Sequence, residues 1–475
     1  MPLDHPALAK APYARRLARS ALDCAGRVPV AAADKAKTCL FDFIGCAFEA
    51  RDLPWSRQAQ AIARPDRDGA PIIGTRLVAH PSDAAFANAV AGHGLVREDM
   101  HAGSVSHHGV VVWPTMLALG GQTDVDVERF LTSGIVGYEA GARIGRALFD
   151  GDLSRLFRPT GTAGLIGATV AGGYLVGLDE DQLTSALALA ANMAGGLNQW
   201  PYSGGDDMYF HPGAAARSAL LAVGLAQAGS RACEDIFEGT AGLFAAFKRA
   251  AFQEPAPLFA DGTAEILAVY NKPAPACNFA QTACQAALHL AAGLGADRAR
   301  IAAVTIRVPQ AAARYPGCDC SGPFARSLQA KMSIQYGVAA ALARGALEEA
   351  NYQRLDRPDV LRLLNVTSLE VDDDLTAAFP GKQGAEVTVA LSDGRRVSRR
   401  MDDVVPASAD DVRRRFRGAA RAVVGAERAG ALESAVEALS ATTAVRSLAA
   451  LCLAPGAARP APGAVLAEPV AGARP

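Results

Sequence analysis

Histidine is concentrated in one short segment of this 475-residue chain. Four of its eight histidines fall between Gly92 and Pro114, in the sequence GHGLVREDMHAGSVSHHGVVVWP, together with Glu98 and Asp99. We call these residues the histidine segment. An imidazole can give or take a proton near neutral pH, and a carboxylate nearby can orient it or share the proton. The clustering predicts an acid/base site, and His107 is the first candidate.

The histidine segment also contains side chains that metals bind, namely Glu98, His101, His107 and His108. Their spacing matches no known metal-ligand frame, so we expect no metal and keep a metal site only as an alternative. A purely structural role is the other alternative for any single histidine.

Helices are expected to hold this segment in place. Ser82 to Leu95 is an Ala-rich, apolar run that starts with a helix-capping pair, Ser82-Asp83. On the other side, Pro114 suits the first turn of a helix predicted over Thr115 to Gly120. A polar loop between two buried helices is a common way for a rigid scaffold to present a catalytic group.

Two further stretches carry residues suited to binding an acid. In LFRPTGTA, Arg158 and Thr160 stand at a predicted helix start, where an arginine and the helix dipole favour a carboxylate. In WPYSGGDDMYFHPGAAAR, Tyr209 and His211 precede or begin an apolar helix. Helix capping and surface ion pairing are the alternatives for both stretches.

The last candidate stretch is NKPAPACNFAQ, where the helical pattern gives way to a mixed one. Lys272 is suited to hold an anion or to act as an acid or base. Cys277 would be reactive if its surroundings lowered its pKa, and otherwise it is an inert buried thiol. Pockets are common where two domains meet.

Composition excludes several functional classes. Lysine plus arginine nearly balances aspartate plus glutamate, with a net charge of -1, so no nucleic-acid-binding surface is expected. The longest weakly polar run, residues 165–178, is shorter than the roughly 18 residues of a membrane span. Nine cysteines without a CxxC pair suit a reducing compartment. With no signal-peptide pattern at the N-terminus, we expect a cytoplasmic protein.

The periodicity predicts two structural parts. Apolar residues at helical spacing run from Tyr13 to about Phe252, and the glycines between Gly161 and Gly177 indicate close helix packing. Strand patterns follow at residues 300–308, 367–371, 386–391 and 396–401, with a hairpin turn at Ser392-Asp393-Gly394. We predict a mainly α protein with an all-helical domain (1–252 and 406–453), an α+β domain (253–405) and a disordered tail (454–475).

Several ordered motifs resemble those of one family. NAVAGHGLVREDMHAGSVSHHGVVVWP, GYEAGARIGRAL, FRPTGTAGLIGA, FHPGAAARSALLAVGLAQAG, KPAPACNFAQTA and AKMSIQYGVAAALARG resemble the MmgE/PrpD family, which includes 2-methylcitrate dehydratase, cis-aconitate decarboxylase and iminodisuccinate epimerase. The resemblance implies a large helical domain, a smaller α+β lid, a homodimer, and a cofactor-free cleft for small di- or tricarboxylates.

The match is incomplete at positions that the family uses. Val96 stands where the family usually has an aspartate, and Met208 lies near the usual place of a lysine. Arg158 and Cys277 replace histidines that the decarboxylases carry. These departures weigh against cis-aconitate decarboxylation and leave dehydration and epimerisation open.

By this resemblance we expect a hydro-lyase that removes a proton alpha to a carboxylate, with an epimerase or a non-catalytic carboxylate binder as alternatives. His107 would be the base or acid, and Asp99 would orient it or share the proton. Further candidates fall into two groups: Lys272, His101 and Tyr209 for catalysis, and Arg158, Thr160, His211 and Cys277 for substrate binding.

Overall fold

A computed structural model describes residues 11–121, 127–438 and 445–456 of the chain. Most of the tail predicted to be disordered, residues 457–475, lies outside them. The α-helices in chain order are α1 (Tyr13–Leu22), α2 (Val30–Ala50), α3 (Pro54–Ala61), α4 (Pro81–His93), α5 (Gly109–Gly120), α6 (Val127–Leu148), α7 (Leu153–Leu156), α8 (Pro159–Val176), α9 (Glu180–Asn192), α10 (Trp200–Ser203), α11 (Asp207–Gln227), α12 (Leu243–Lys248), α13 (Gln281–Leu294), α14 (Gln310–Arg314), α15 (Ser327–Met332), α16 (Ile334–Arg344), α17 (Pro358–Leu364), α18 (Asp373–Ala378), α19 (Ala409–Val424), α20 (Ala426–Glu437) and α21 (Val445–Leu451).

The strands are short in the first half of the chain and longer in the second. They are β1 (Pro65–Pro71), β2 (Val78–Ala79), β3 (Met100–His101), β4 (Val269–Tyr270), β5 (Ile301–Val308), β6 (Thr367–Val371), β7 (Ala385–Leu391) and β8 (Arg396–Met401). We call α1–α12 with α19–α21 the helical body, and α13–α18 with β5–β8 the α+β unit. Residues 249–280, between them, are the junction segment.

The helical body is built around α8, which packs against α5, α6, α9 and α11. Every residue from Pro159 to Gly173 is buried, so this part of the helix has no solvent face. A Cβ at Gly167 would lie 2.5 Å from the carbonyl oxygen of Gly137 on α6. This contact confirms that the glycines of α8 serve close helix packing.

The α+β unit contains one four-stranded sheet in the order β6-β5-β7-β8. β5 and β6 are parallel, and the other two pairs are antiparallel. Alternate side chains of β7 are buried, and α13 packs against β7 and β8. The predicted hairpin turn is confirmed, because Ala390 pairs with Arg396 and Gly394 adopts a φ of 89°. The mainly α fold with a smaller α+β part is therefore confirmed.

Two helix starts differ from the prediction. α5 begins at Gly109 rather than Thr115, so Pro114 lies inside the helix and not in its first turn. The apolar pattern predicts another helix from Pro212 to Ala228, but α11 begins at Asp207 and Pro212 lies inside it. Each proline removes one backbone donor, but a long apolar face remains buried and keeps the helix continuous. As a result, His107 and His108 lie directly before α5.

The chain returns to the helical body through α19, which packs along α2. Arg415 of α19 donates hydrogen bonds to the carbonyl oxygens of Lys272 (2.9 Å) and Pro273 (2.7 Å) in the junction segment. The C-terminal helices thus help to fix the position of a candidate site residue. Among the described residues, none of the helices has both the length and the apolarity that crossing a bilayer requires.

We predict that Gly167→Ala destabilises the protein by about 1–3 kcal/mol, because the new methyl group meets backbone that cannot move aside. The matched control is Gly224→Ala in α11, where a Cβ would have no neighbour within 4 Å. This control should be neutral or stabilising by at most about 1 kcal/mol. Urea unfolding measures both, and equal stability of the Gly167 variant and the wild type would contradict the packing argument.

Candidate active site

Glu98 is a buried carboxylate that joins two histidines. Its Oε1 lies 2.6 Å from Nδ1 of His93, the last residue of α4, and 3.0 Å from Nδ1 of His107. A carboxylate only accepts hydrogen bonds, so both ring nitrogens donate to it. Burial opposes ionisation of Glu98, but the two histidines outweigh it and hold the pKa of this carboxyl well below its usual value.

His107 has one nitrogen committed and one free to react. Its Nδ1 also lies 2.8 Å from the carbonyl oxygen of Asp99, so both neighbours of Nδ1 are acceptors and Nδ1 carries the proton. In the neutral ring, Nε2 is then the basic atom. Burial lowers the pKa of His107 from its usual 6.5, although Glu98 opposes this shift. His107 is therefore a neutral base at neutral pH.

His93 connects Glu98 to an arginine. Its Nδ1 donates to Glu98, and its Nε2 accepts a hydrogen bond of 2.6 Å from Nη2 of Arg158. The guanidinium of Arg158 lies 5.2 Å from the ring centre of Trp200. Burial lowers the pKa of His93 to about 3, so this ring stays neutral. His107, Glu98, His93 and Arg158 thus form one hydrogen-bonded chain.

A cavity opens beside this chain, between the helical body and the rest of the protein. The space not filled by atoms is about 550 Å³, including space that is open to solvent. The lining residues come from all three parts of the chain: Val96, Met100, Val105, His107, Arg158, Pro159, Thr160, Trp200 and Met208 from the helical body, Lys272, Cys277, Asn278 and Phe279 from the junction segment, and Tyr315 and Met332 from the α+β unit.

Lys272 is brought to the cavity by a short strand pairing. β3 in the histidine segment pairs antiparallel with β4, with Met100 opposite Tyr270. Lys272 follows β4 and is completely buried, with its Nζ donating to the carbonyl oxygen of Val96. Burial lowers the pKa of Lys272, which Glu98 opposes. The cavity therefore carries two cationic side chains, Lys272 and Arg158.

The turn after α4 is held by a second buried lysine. Nζ of Lys331, on α15, donates to the carbonyl oxygen of Gly94 at 3.1 Å and pairs with Glu349 at 2.8 Å. Within this turn, Val96 has a φ of 58°, a left-handed conformation that β-branched residues rarely adopt. Two lysine contacts with the carbonyls of the turn stabilise this strained backbone against relaxation.

Asp99 points away from the cavity. One carboxyl oxygen accepts a hydrogen bond from the hydroxyl of Tyr138, and only the backbone carbonyl of Asp99 contacts His107. The carboxylate that orients His107 is therefore that of Glu98. Burial raises the pKa of Asp99 to about 7, although the hydrogen bond from Tyr138 opposes this shift.

His101 and His108 belong to a separate network. The backbone N–H of Ser104 donates to Nδ1 of His101 at 3.0 Å, which leaves Nε2 of His101 to donate to Glu265 at 2.8 Å. The hydroxyl of Ser104 lies 2.9 Å from Nε2 of His108. Ser104, His101 and Glu265 resemble a hydrolytic triad by residue type. However, all three are buried, and none of them lines the cavity. This network fastens the histidine segment to the junction segment.

The side chains considered as metal ligands are divided between these two networks. Glu98 and His107 belong to the first network, and His101 and His108 belong to the second. Within the described ranges, no three His, Cys, Asp or Glu side chains converge as a metal-binding group.

Tyr209 and His211 also lie outside the cavity lining. The ring of Tyr209 stacks on Trp55 at 3.8 Å and lies at the edge of His93, so it supports the site from behind. His211 is near Gly196, and burial lowers its pKa to about 4. Of the candidate residues, His107, Arg158, Thr160, Lys272 and Cys277 therefore meet at the cavity, and Thr160 Oγ1 accepts a hydrogen bond from the backbone N–H of His107.

Sequence reasoning missed two residues of the hydrogen-bonded chain. The sequence predicts Glu98 as a carboxylate near the histidines and a possible metal ligand, with no assigned catalytic role, and it gives His93 no role. Their spacing was the available signal, because His93 and Glu98 stand on either side of the turn that follows α4 and can therefore contact each other. Tyr315 was missed without any signal: its hydroxyl accepts a hydrogen bond from Asn198 at 3.3 Å, and it lines the cavity from a distant part of the sequence.

Comparison with known proteins gives matches along most of the chain. The MmgE/PrpD N-terminal domain matches residues 16–254, and the MmgE/PrpD C-terminal domain matches residues 274–441. The chain belongs to the MmgE/PrpD family.

Curated relatives share moderate identity with this MmgE/PrpD chain. A cis-aconitate decarboxylase of Aspergillus terreus is 31% identical over 226 residues, which are 46% of each protein. The chain thus spans about half the length of this relative. A 2-methylcitrate dehydratase of Cupriavidus necator is 27% identical over 394 residues, covering 76% of this chain and 78% of the relative.

The departures from the family motifs lie together in the structure of this MmgE/PrpD protein. Val96, Arg158, Met208 and Cys277 all line the cavity. The sulfur of Met208 is 2.8 Å from Nε2 of His93, so this position contacts the hydrogen-bonded chain directly. The positions at which the sequence departs from the family motifs therefore lie in the same cavity wall as His107 and Lys272.

The raised pKa of Asp99 predicts a pH-dependent stability. The folded protein binds a proton at Asp99 up to about pH 7, whereas the unfolded chain releases it near 3.8. Protonation of Asp99 therefore contributes stability to the folded protein. This contribution is complete below pH 3.8 and is lost as pH rises to about 7. Across this pH range, the free energy of unfolding of Asp99→Asn should rise relative to that of the wild type by up to about 1.4 kcal/mol per pH unit.

Urea unfolding of both proteins between pH 5 and pH 8 measures this difference. The difference in stability between the two proteins should stop changing above about pH 7, because the folded wild type has then also lost the proton from Asp99. A stability difference that stays constant with pH would mean that Asp99 is ionised in the folded protein throughout.

Proposed function

We propose that this protein is a hydro-lyase that dehydrates a small hydroxylated di- or tricarboxylate. The observation that carries the proposal is a neutral imidazole with a free Nε2, at His107, in a cavity that also holds the cations Lys272 and Arg158. Two fixed cations favour an acid with two carboxylates. A basic nitrogen in the same cavity is suited to remove a proton alpha to one of these groups.

In the proposed reaction, Nε2 of His107 takes the proton from the carbon alpha to a carboxylate. Negative charge then develops on that carboxylate, and Lys272 and Arg158 stabilise it as an enolate-like group. Glu98 stabilises the imidazolium that forms, because it already accepts the Nδ1 proton. The carbon–oxygen bond to the hydroxyl breaks as the double bond forms, so water leaves and an alkene remains.

The leaving hydroxyl needs a proton, and two cavity groups are suited to supply it. Lys272 has a pKa lowered by burial, which makes its ammonium a better acid than an exposed lysine. Tyr315 is the second donor, because burial raises its pKa to about 12 and keeps the hydroxyl protonated. We favour Lys272 because it is also part of the family's KP motif in this chain.

Decarboxylation is a second candidate, because cis-aconitate decarboxylases are among the relatives. The motif resemblance implies that Arg158 and Cys277 replace histidines of the family's decarboxylases, which argues against this reaction in the present chain. The expected homodimer and cytoplasmic location stay predictions.

Proton NMR in deuterated water, with a panel of citrate-like acids, tests the reaction. The proposal expects a new alkene signal from one hydroxylated acid. Exchange of the alpha proton without net product would instead indicate an epimerase, and loss of carbon dioxide from an unsaturated acid would indicate a decarboxylase. No change with any acid would support a protein that only binds carboxylates.

Substitutions should separate proton transfer from binding. His107→Asn should lower kcat by about 100- to 10,000-fold, because the base is removed. Lys272→Met should raise KM by about tenfold or more through loss of a charge-assisted hydrogen bond, and should also lower kcat. The matched control is His289→Asn on α13, an exposed histidine outside the cavity. Unchanged turnover in the His107 variant would place the reaction elsewhere.

The pH profile of kcat/KM provides an independent test. Because burial lowers the pKa of His107 below 6.5, its ring should remain a base as pH falls through 6.5. We expect kcat/KM to fall as pH is lowered, with a midpoint below pH 6.5. If kcat/KM falls with decreasing pH and the midpoint of this fall lies above pH 6.5, the assignment of His107 as the base is contradicted.

A further inference from the structure

Two thiols meet at the wall of the cavity. The sulfur atoms of Cys277 and Cys318 are 3.6 Å apart, although the residues are separated by 41 positions in the sequence. Cys277 lines the cavity, and Cys318 is completely buried beside it. A disulfide requires the two sulfurs to approach to about 2.05 Å, so a movement of roughly 1.5 Å would join them.

The backbone holds this pair together through one short segment of the α+β unit. The N–H of Cys277 donates to the carbonyl oxygen of Lys331 at 2.8 Å, and the carbonyl oxygen of Cys318 accepts from the N–H of Ile334 at 3.0 Å. Both cysteines are thus tied to residues 331–334. Their proximity follows from main-chain hydrogen bonds and does not depend on side-chain rotamers alone.

The surroundings favour one of the two sulfurs as the nucleophile. The thiol of Cys318 donates to the sulfur of Cys277 and lowers the pKa of Cys277, against the opposing effect of burial. The N–H of Phe279 and the cations Lys272 and Arg158 act in the same direction. Burial raises the pKa of Cys318, so that residue remains a thiol. Cys277 is therefore the more reactive partner.

We propose that Cys277 and Cys318 form an oxidisable pair in the cavity wall and that hydrogen peroxide converts them to an intramolecular disulfide. The Cys277 thiol gives up its proton, its thiolate attacks one peroxide oxygen, and the O–O bond breaks, which gives a sulfenic acid. The hydroxide that leaves takes up the released proton and becomes water. Cys318 then attacks that sulfur, and its proton and the departing hydroxyl form water. Two thiols and one peroxide thus yield one disulfide and two waters.

The proposal predicts an order of oxidation that exposure alone would reverse. Cys233 is exposed, but a hydrogen bond with Asp235 raises its pKa. If geometry and the local charges decide reactivity, the buried pair oxidises before Cys233, and its rate constant should exceed that of Cys233 by about tenfold or more. Peroxide would reach Cys277 through the cavity that this residue lines.

The experiment uses the full-length native protein and limiting hydrogen peroxide, followed by alkylation and non-reducing peptide mass spectrometry. A peptide linked through Cys277 and Cys318, which dithiothreitol separates, is expected while Cys233 is still reduced. In Cys318→Ser, dimedone should label the sulfenic acid at Cys277, because the resolving thiol is absent. Cys233→Ser is the control and should leave the yield of the linked peptide unchanged.

Two results would overturn the proposal. One is that Cys277 and Cys318 stay reduced at peroxide concentrations that oxidise Cys233. The other is that the linked peptide forms only after urea unfolding, which would show that the native pair cannot close. The wild-type measurement decides both points, so the proposal stays testable even if the Cys318 variant does not fold.

Discussion

A carboxylate that is fully removed from water needs hydrogen-bond donors, and Oε1 of Glu98 meets two imidazoles, whereas its Oε2 has no hydrogen-bond partner among the described residues. This single requirement fixes both rings. Each presents Nδ1–H to Glu98, so each has Nε2 facing away, toward Arg158 in one case and available for reaction in the other. The base His107 and the cation Arg158 are thus two ends of one hydrogen-bonded chain. Removing Glu98 would break this chain and leave the carbonyl oxygen of Asp99 as the remaining partner of Nδ1 of His107.

The cavity depends on contacts that cross from one part of the chain to another. Two buried lysines, Lys272 of the junction segment and Lys331 of the α+β unit, donate to carbonyl oxygens of the turn that follows α4. Arg415, from the last third of the chain, in turn holds the backbone at Lys272. The helical body supplies the base, and the other parts supply a cation and the redox-sensitive wall. A site built in this way forms only when all parts are packed together.

Local features could be predicted from the sequence, and long-range pairings could not. The hairpin at residues 392–394 was predictable because turn type and alternation are encoded by neighbouring residues. His107, Arg158 and Lys272 were identified as candidates by residue type and motif. The orienting role was predicted for Asp99 and not for Glu98, because adjacent carboxyls point in different directions and only the tertiary packing decides which one meets the imidazoles. The proximity of Cys277 to Cys318 was likewise invisible in the sequence.

The tautomer of His107 tests the account most directly. Nitrogen-15 NMR of protein labelled at histidine, with the signal assigned by comparison with His107→Asn, reports which ring nitrogen carries the proton. We predict a neutral ring at pH 7 with hydrogen on Nδ1 and a bare Nε2, because both neighbours of Nδ1 are acceptors. Hydrogen on Nε2, or an imidazolium at this pH, would contradict the proposal that Glu98 prepares His107 as the base.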